Sequence, residues 1–127
     1  MSNEPVAMVN FLVGDIEVRC EWNDSPTSRK IREALPLEAS ASYWGGELYF
    51  EIPVEAAQES GAREEVEPGS VAYWPAGRAL CIFWGVTPAS HGNECRAASP
   101  VNVVGRVLNP EVLRKLRAKE VRVTAAG

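Results

Sequence analysis

The sequence predicts a mainly β protein, built on an antiparallel sheet with two short helices. Several segments alternate apolar and polar residues, which is the pattern of a strand with one buried face. Short glycine-containing turns separate some of these segments, as in β-hairpins. Only two segments carry helix start and stop signals. A sheet of many short antiparallel strands has to close on itself or form a sandwich to protect its edges.

The chain begins with a predicted β-hairpin and helix. In IEVRCEW, residues 16–22, the side chains at positions 16, 18, 20 and 22 share an apolar face. The apolar segment VAMVNFLV precedes it, and Gly14 with Asp15 forms the two-residue connection of a tight hairpin. In the helix that follows, Asp24 or Ser25 caps, Pro26 suits the first turn, and a second proline at position 36 ends it.

A second hairpin is predicted around Gly45 and Gly46. The segment LEASASYW leads into this turn, and ELYFEIP leaves it with Leu48, Phe50 and Ile52 on one side. The other side carries Glu47, Tyr49 and Glu51. We expect this second face to be wet and both carboxylates to be solvated.

The remaining segments predict loops, one strand pair and a second helix. Residues 53–69 are acidic and end in proline and glycine, so we expect a long solvated loop, and residues 86–100 a second one. In the strand VNVVGRVL, Gly105 predicts a bulge or a close backbone approach. Asn109 is expected to cap the second helix, whose apolar contacts are Leu113 and Leu116. A final strand, VRVTA, follows it.

Length and composition exclude several classes of protein. A chain of 127 residues has the size of one domain, and we predict a single domain over residues 1–127. The net charge of −4 gives no basic patch for nucleic-acid phosphates or anionic lipids, so neither is expected as a partner. No apolar run is long enough to cross a bilayer, and no secretory leader is recognisable. Three cysteines without a close pair indicate reduced thiols, and we expect a cytoplasmic location.

The segment YWPAGRALCIFWG, residues 73–85, is the most distinctive part of the chain. Trp74 precedes a proline and is therefore extended, and Gly77 fits the end of the turn. The strand ALCIFW that follows is apolar on both faces. The face turned away from the core must be covered by other elements or lie in an exposed apolar groove, and such grooves tend to be binding sites.

Three segments carry a resemblance to a known family. YWGGELYFEIPV, GSVAYWPAGRALCIFWGVTPAS and ASPVNVVGRV are similar to the small cyclophilin-like proteins of bacteria and archaea, a family often described as a domain of unknown function. The resemblance runs from about residue 6 to 125. It implies a closed cyclophilin-like β-barrel of about eight strands, with two short helices at its ends.

The same resemblance argues against strong prolyl isomerase activity. The groove of true cyclophilins holds a catalytic arginine, a glutamine, a phenylalanine and a histidine. If LCIFW is aligned with the family's Ser-Gln-Phe-Phe-Ile segment, Phe83 matches the phenylalanine and Cys81 replaces the glutamine. The strand LEASASYW offers no arginine, and the histidine falls near Val101 or Asn102. Without an arginine to hydrogen-bond the prolyl carbonyl, little of the barrier of ~20 kcal/mol is removed, unless Arg78 substitutes for it in space.

Other catalytic arrangements are not evident. His91 is the single histidine and lies in a flexible loop, so no metal or cofactor site is predicted. Cys81 lacks a neighbouring base to activate it and reads as a small buried hydrophobe. Ser90 beside His91 has no third member of a triad.

We therefore expect a non-catalytic or weakly catalytic barrel that binds a small molecule or a peptide in an aromatic groove. Alternatives are a weak prolyl isomerase, a component of small-amide metabolism, and an interaction subunit whose apolar outer face forms a homodimer. Thr87, Ser90 and Asn102 would donate or accept hydrogen bonds at the rim of the groove. The candidate ligand-binding residues are Tyr43, Trp44, Tyr49, Trp74, Arg78, Cys81, Phe83, Thr87, Ser90 and Asn102.

Overall fold

The computed structural model describes residues 5–126, so the outermost residues of the predicted domain lie outside it. Within this range the chain forms ten strands, one α-helix and two 3-10 helices. The helix α1 covers Pro26–Glu33, and the 3-10 helices cover Pro75–Gly77 and Pro110–Lys115. The strands are β1 (Ala7–Val13), β2 (Ile16–Trp22), β3 (Leu37–Ser40), β4 (Ser42–Tyr43), β5 (Glu47–Glu51), β6 (Arg63–Val66), β7 (Ser70–Trp74), β8 (Ala79–Phe83), β9 (Cys95–Val107) and β10 (Glu120–Ala126).

The strands form one antiparallel sheet that is not closed into a barrel. Its order is β3-β10-β1-β2-β9-β7-β8-β5-β4, with β6 added to β9. The mainly β architecture is as predicted, but the closed barrel of about eight strands is wrong. The two ends of the order, β3 and β4, follow each other along the chain with only Ala41 between them. Among the described strands β3 pairs with β10 and β4 pairs with β5, and the two do not pair with each other, so the sheet keeps two edges.

The N-terminal elements form as the pattern predicts. Strands β1 and β2 pair in register through the turn at Gly14, whose φ is +61°. Alternation buries Val18, Cys20 and Trp22 on one face of β2. The helix α1 begins after Ser25, whose side chain accepts a hydrogen bond from the backbone N–H of Ser28. The sequence left Asp24 and Ser25 open as caps, and the structure selects Ser25.

Both predicted long loops contain a strand. Residues 63–66 form β6, and β9 begins at Cys95 instead of near Val101. The two pair in antiparallel fashion. Polar composition concealed β6 because most of its side chains face solvent. A backbone irregularity in β9 opposite Val71 and the close approach of Gly105 to Glu21 agree with the prediction for that glycine.

The second predicted helix is a 3-10 helix. Asn109 occupies its N-cap position, as expected, but its side chain makes no capping hydrogen bond. The Asn109 side chain instead accepts from the backbone N–H of Arg19 at 2.8 Å and donates to the Glu17 carbonyl at 3.0 Å. It thus ties the helix to β2. Leu113 and Leu116 are buried as expected.

The apolar side chains form two separate cores. The main core lies on one face of the sheet and includes Phe11, Trp22, Phe50, Tyr73 and Leu80. A smaller second core lies on the opposite face of β7 and β8, where β6 and the first part of β9 cover it. Its buried members are Val66, Ala72, Ala79, Cys81, Phe83, Cys95, Ala97 and Val101. The apolar outer face of β8 is therefore largely covered by the chain itself.

Candidate ligand-binding site

The tight corner after β7 fixes the indole of Trp74. Pro75 follows it and starts a 3-10 turn, after which Arg78 adopts a left-handed conformation with a φ of 49°. A Cβ atom at Gly77 would lie 2.3 Å from the Trp74 ring, so the turn needs glycine to let the indole pack against it. Trp74 Nε1 donates to Ser99 Oγ on β9 at 2.6 Å. The indole is thus held between the turn and β9.

A cavity of about 170 Å³ lies beside this indole, against the second core. Three of the predicted aromatic residues line it and are each partly exposed, so the cavity is reachable from solvent. The small side chains on β9 leave the space between them open. The lining residues are Trp44, Glu47, Tyr49, Trp74, Ala97 and Ala98. We call this space the Glu47 cavity.

Glu47 is the buried polar residue of this cavity. It is the first residue of β5 and pairs with Phe83 of β8, and alternation places its side chain on the same face as Tyr49. Only 5% of Glu47 is exposed, so the expectation that it is solvated is wrong. Glu51, at the other end of the strand, is exposed as expected. At the Glu47 end of the strand, Ala97 and Ala98 of β9 line the same cavity, whereas Glu51 does not line it.

The environment of Glu47 raises the pKa of its carboxyl toward neutral pH. Burial raises the pKa of the Glu47 carboxyl to about 7, and the Cys81 thiol, within hydrogen-bonding reach, opposes the shift. None of the ion pairs formed among residues 5–126 includes Glu47. At neutral pH the carboxyl is therefore divided between its charged and uncharged forms, without a protein cation beside it.

Cys81 and Phe83 lie in the second core and do not line the cavity. Both are almost completely buried. Burial and the negative charge of Glu47 raise the pKa of the Cys81 thiol well above its ordinary value. A neutral, inaccessible thiol is a poor nucleophile, in agreement with the interpretation of Cys81 as a small hydrophobe.

Tyr43 and Arg78 point to other parts of the molecule. The Tyr43 hydroxyl donates to the Ala118 carbonyl at 2.7 Å, and its ring packs against the main core. Arg78 forms an exposed ion pair with Glu51 at 3.1 Å. Neither residue lines the Glu47 cavity.

The predicted rim residues are used within the protein. Thr87 Oγ1 donates to the Arg96 carbonyl, and Ser90 Oγ donates to the Glu94 carbonyl at 2.6 Å, which shapes the loop before β9. Asn102 lies elsewhere, beside α1. Its side chain donates to Thr27 Oγ1 and to the Ala57 carbonyl, and it accepts from the backbone N–H of Glu59.

A larger depression of about 690 Å³ lies between the start of α1 and residues 59–70. Its buried amides already have partners. Asn23 donates to the Val103 carbonyl at 3.0 Å and accepts from Ser25 N–H, and Asn102 is bonded as described above. Since the Glu47 cavity combines aromatic walls with a carboxyl that lacks a cationic partner, we regard it as the better candidate site.

Sequence reasoning missed Glu47, Ala97 and Ala98. Glu47 could have been predicted, because alternation places it on the same face of the strand as Tyr49, a predicted site residue. Ala97 and Ala98 could not, since no local sequence pattern indicates that β9 contributes to a cavity with residues of β5.

Fold and site together define the class: an antiparallel β protein with a small cavity on the outer face of its sheet. The chain belongs to the cyclophilin-like family, because the family model described as Cyclophilin-like matches residues 7–125. It is also similar to the solution structure of the hypothetical protein AF2241 from Archaeoglobus fulgidus. The two share 36% sequence identity with a TM-score of 0.80, over 99% of this chain and 100% of the other. A comparison with curated proteins gives no significant match.

Proposed function

We propose that this protein binds a small organic ligand, or one side chain of a short peptide, in the Glu47 cavity. The observation that carries the proposal is the convergence of Trp44, Tyr49 and Trp74 on a buried carboxyl. Small-ligand sites are typically concave, largely apolar and provided with a few polar groups that orient the ligand. The aromatic walls would supply affinity, and Glu47 would supply orientation.

The size of the cavity limits the ligand. An apolar cavity of about 150 Å³ holds a molecule the size of benzene. The Glu47 cavity, at about 170 Å³, therefore suits a compact group of similar size. A longer molecule would place one such group inside and the rest over the partly exposed aromatic side chains.

Acid–base catalysis on an amide or prolyl substrate is a second candidate function, and the pKa of Glu47 is the observation that favours it. A carboxyl with a pKa of about 7 can donate a proton near neutral pH. We rank catalysis second because Arg78, the candidate substitute for the cyclophilin arginine, pairs with Glu51 outside the cavity.

The homodimer and the cytoplasmic location remain predictions. The apolar face of β8 that suggested a dimer is covered by β6 and β9, so no dimer surface is assigned. Light scattering over a range of protein concentrations tests it. Within residues 5–126, no helix has both the length and the apolar character that crossing a bilayer requires.

Amide NMR spectra test the proposed function through the four tryptophan indole signals. The additions are compact neutral, cationic and anionic compounds and a short Ala-Pro peptide. We expect a binding compound to shift the Trp44 and Trp74 indoles, which line the cavity, and to leave the core residue Trp22 unchanged. Binding that moves other residues only, or no binding by any compound, would contradict the proposal. Faster cis–trans exchange of the peptide in the wild type, lost in Glu47→Gln, would favour catalysis instead.

A further inference from the structure

The charged group in the Glu47 cavity limits the class of ligand that the cavity can bind. Glu47 carries the single carboxyl group among the described residues that line the cavity, and none of these residues is a lysine or an arginine. An anionic ligand would meet this carboxylate in an apolar setting, where like charges repel strongly. A neutral ligand is compatible with the protonated carboxyl but leaves the ionised carboxylate without a counter-ion, whereas a cation stabilises the ionised form.

The walls of the cavity favour the same charge. Two tryptophans and a tyrosine line it together with two alanines. Aromatic rings attract cations through their quadrupole, most strongly for tryptophan, and the attraction grows when water is excluded. Aromatic cages of this composition recognise methylated and quaternary ammonium groups. The cavity volume of about 170 Å³ fits a group of that size.

We infer that the Glu47 cavity binds an organic ammonium ion, with Trp44, Tyr49 and Trp74 around the cationic group and the Glu47 carboxylate as its counter-ion. This inference rests on the proposed function and names the class of its ligand. The ligand is a methylated or quaternary amine, free or at the end of a longer molecule.

Binding of a cation is coupled to loss of the Glu47 proton. The titratable side chains that face the carboxyl are Tyr49 on its own strand and Cys81 on β8. The other lining residues, on the segments before β5, in β7 and in β9, carry no titratable group. Since the cation binds the ionised carboxyl, its affinity rises with pH. With a pKa of about 7, affinity increases about tenfold between about pH 6 and pH 8.

Isothermal titration of the full-length protein with choline tests the inference. The matched neutral probe is the tert-butyl analogue of choline, in which carbon replaces the nitrogen. We expect choline to bind at least about tenfold more tightly than the analogue at about pH 8, in the same salt concentration. Equal affinity, tighter binding of the analogue, or no binding of choline would overturn the inference. Binding of the analogue alone would leave the proposed function standing.

Two variants assign the preference to the carboxyl. Glu47→Gln should lower the preference for choline over the neutral analogue, leaving only the part that the aromatic rings supply. Glu51→Gln, at the exposed end of the same strand, should keep the preference. A preference that is undiminished in Glu47→Gln would overturn the role of Glu47. If Glu47→Gln does not fold, the pH dependence of the wild type decides: a choline affinity that is flat between about pH 6 and pH 8 would overturn the inference.

Discussion

Glu47 and Glu94 are two carboxylates whose pKa values are shifted in opposite directions. Glu47 lies against the second core, where burial raises its pKa to about 7. Glu94 lies in the loop before β9, where its pKa is lowered to about 2, first by the backbone N–H of His91 and then by the side chain of Arg96. Each of these donors lies 2.8 Å from Glu94 Oε2, and Gly92 N–H lies 2.8 Å from Oε1.

The difference separates a structural carboxylate from one available for binding. The donors around Glu94 satisfy its charge, and it fixes the loop that Thr87 and Ser90 also shape. Glu47 has only the weak Cys81 thiol donor within hydrogen-bonding reach, and no ion pair among residues 5–126 includes it, so its charged form lacks a cationic partner. A buried acceptor without such partners is where a ligand gains most by supplying one.

The largest expected effect is a change in the pH dependence of the free energy of unfolding in Glu47→Gln. The pKa of Glu47 is raised in the folded protein, so its stabilising effect is complete below the unfolded value of 4.5 and is lost as pH rises to about 7. A shift of this size corresponds to roughly 3 kcal/mol. Denaturant unfolding should show the wild type losing this much, relative to Glu47→Gln, between about pH 4.5 and pH 8. Parallel pH profiles for the two proteins would contradict the origin assigned to the shift.

The next effect tests the wall of the Glu47 cavity. Gly77→Ala places a methyl group 2.3 Å from the Trp74 ring, so the indole must move. We expect a loss of about 1–3 kcal/mol in the free energy of unfolding, together with a shifted Trp74 indole signal and loss of ligand binding. Gly61→Ala is the matched control, because no atom lies within 4 Å of the added methyl group there. Equal behaviour of the two variants would show that the indole does not depend on Gly77.

A smaller effect, of the opposite sign to that of Glu47, is expected for Glu94→Gln. The pKa of Glu94 is lowered, so its contribution is present above the unfolded value of 4.5 and is lost as pH falls toward about 2. The variant should melt at a lower temperature than the wild type at neutral pH, and the gap should narrow in acid. His91→Ala keeps the backbone donor and should leave the melting temperature unchanged. If the difference in melting temperature widened in acid, the charged form of Glu94 would not be the form that stabilises the fold.

The smallest effect is expected for Glu51→Gln. Its ion pair with Arg78 is exposed on both sides, and surface pairs of this kind contribute between nothing and about 1 kcal/mol. We expect a change within about 0.5 kcal/mol in denaturant unfolding. A larger change would mean that the Arg78 corner depends on this pair and would weaken Glu51→Gln as a control.

Local patterns predicted the elements better than their packing. Alternation identified β2 and β5, an apolar segment beside a glycine turn identified β1, and the glycine turns identified the hairpins, because these signals lie within a few residues. The coverage of β8 by β6 and β9 could not be predicted, since it depends on pairing between residues 29 to 38 positions apart in the sequence. The same part of β9 carries Ala97 and Ala98, which line the cavity together with Glu47.

The predictions for the candidate site also succeeded where the signal was local and failed where they depended on packing. Trp44, Tyr49 and Trp74 were chosen for their chemistry, and the structure places them together. Phe83 was chosen by alignment to cyclophilins and is buried in the second core. Thr87, Ser90 and Asn102 were chosen as polar residues near an expected rim, but their hydrogen bonds are used within the fold.

The length of β9 couples the two cores. Its 13 residues pair with β6 over the second core at one end and with β2 and β7 at the main core at the other. The Glu47 cavity includes Ala97 and Ala98, so it is complete only when the first part of β9 is in place. A ligand held against Ala97 selects only fully folded molecules, so its binding free energy is added to the stability of the whole protein. Slower amide hydrogen exchange would then extend along β9 from Cys95 to Val107, beyond the residues that the ligand touches.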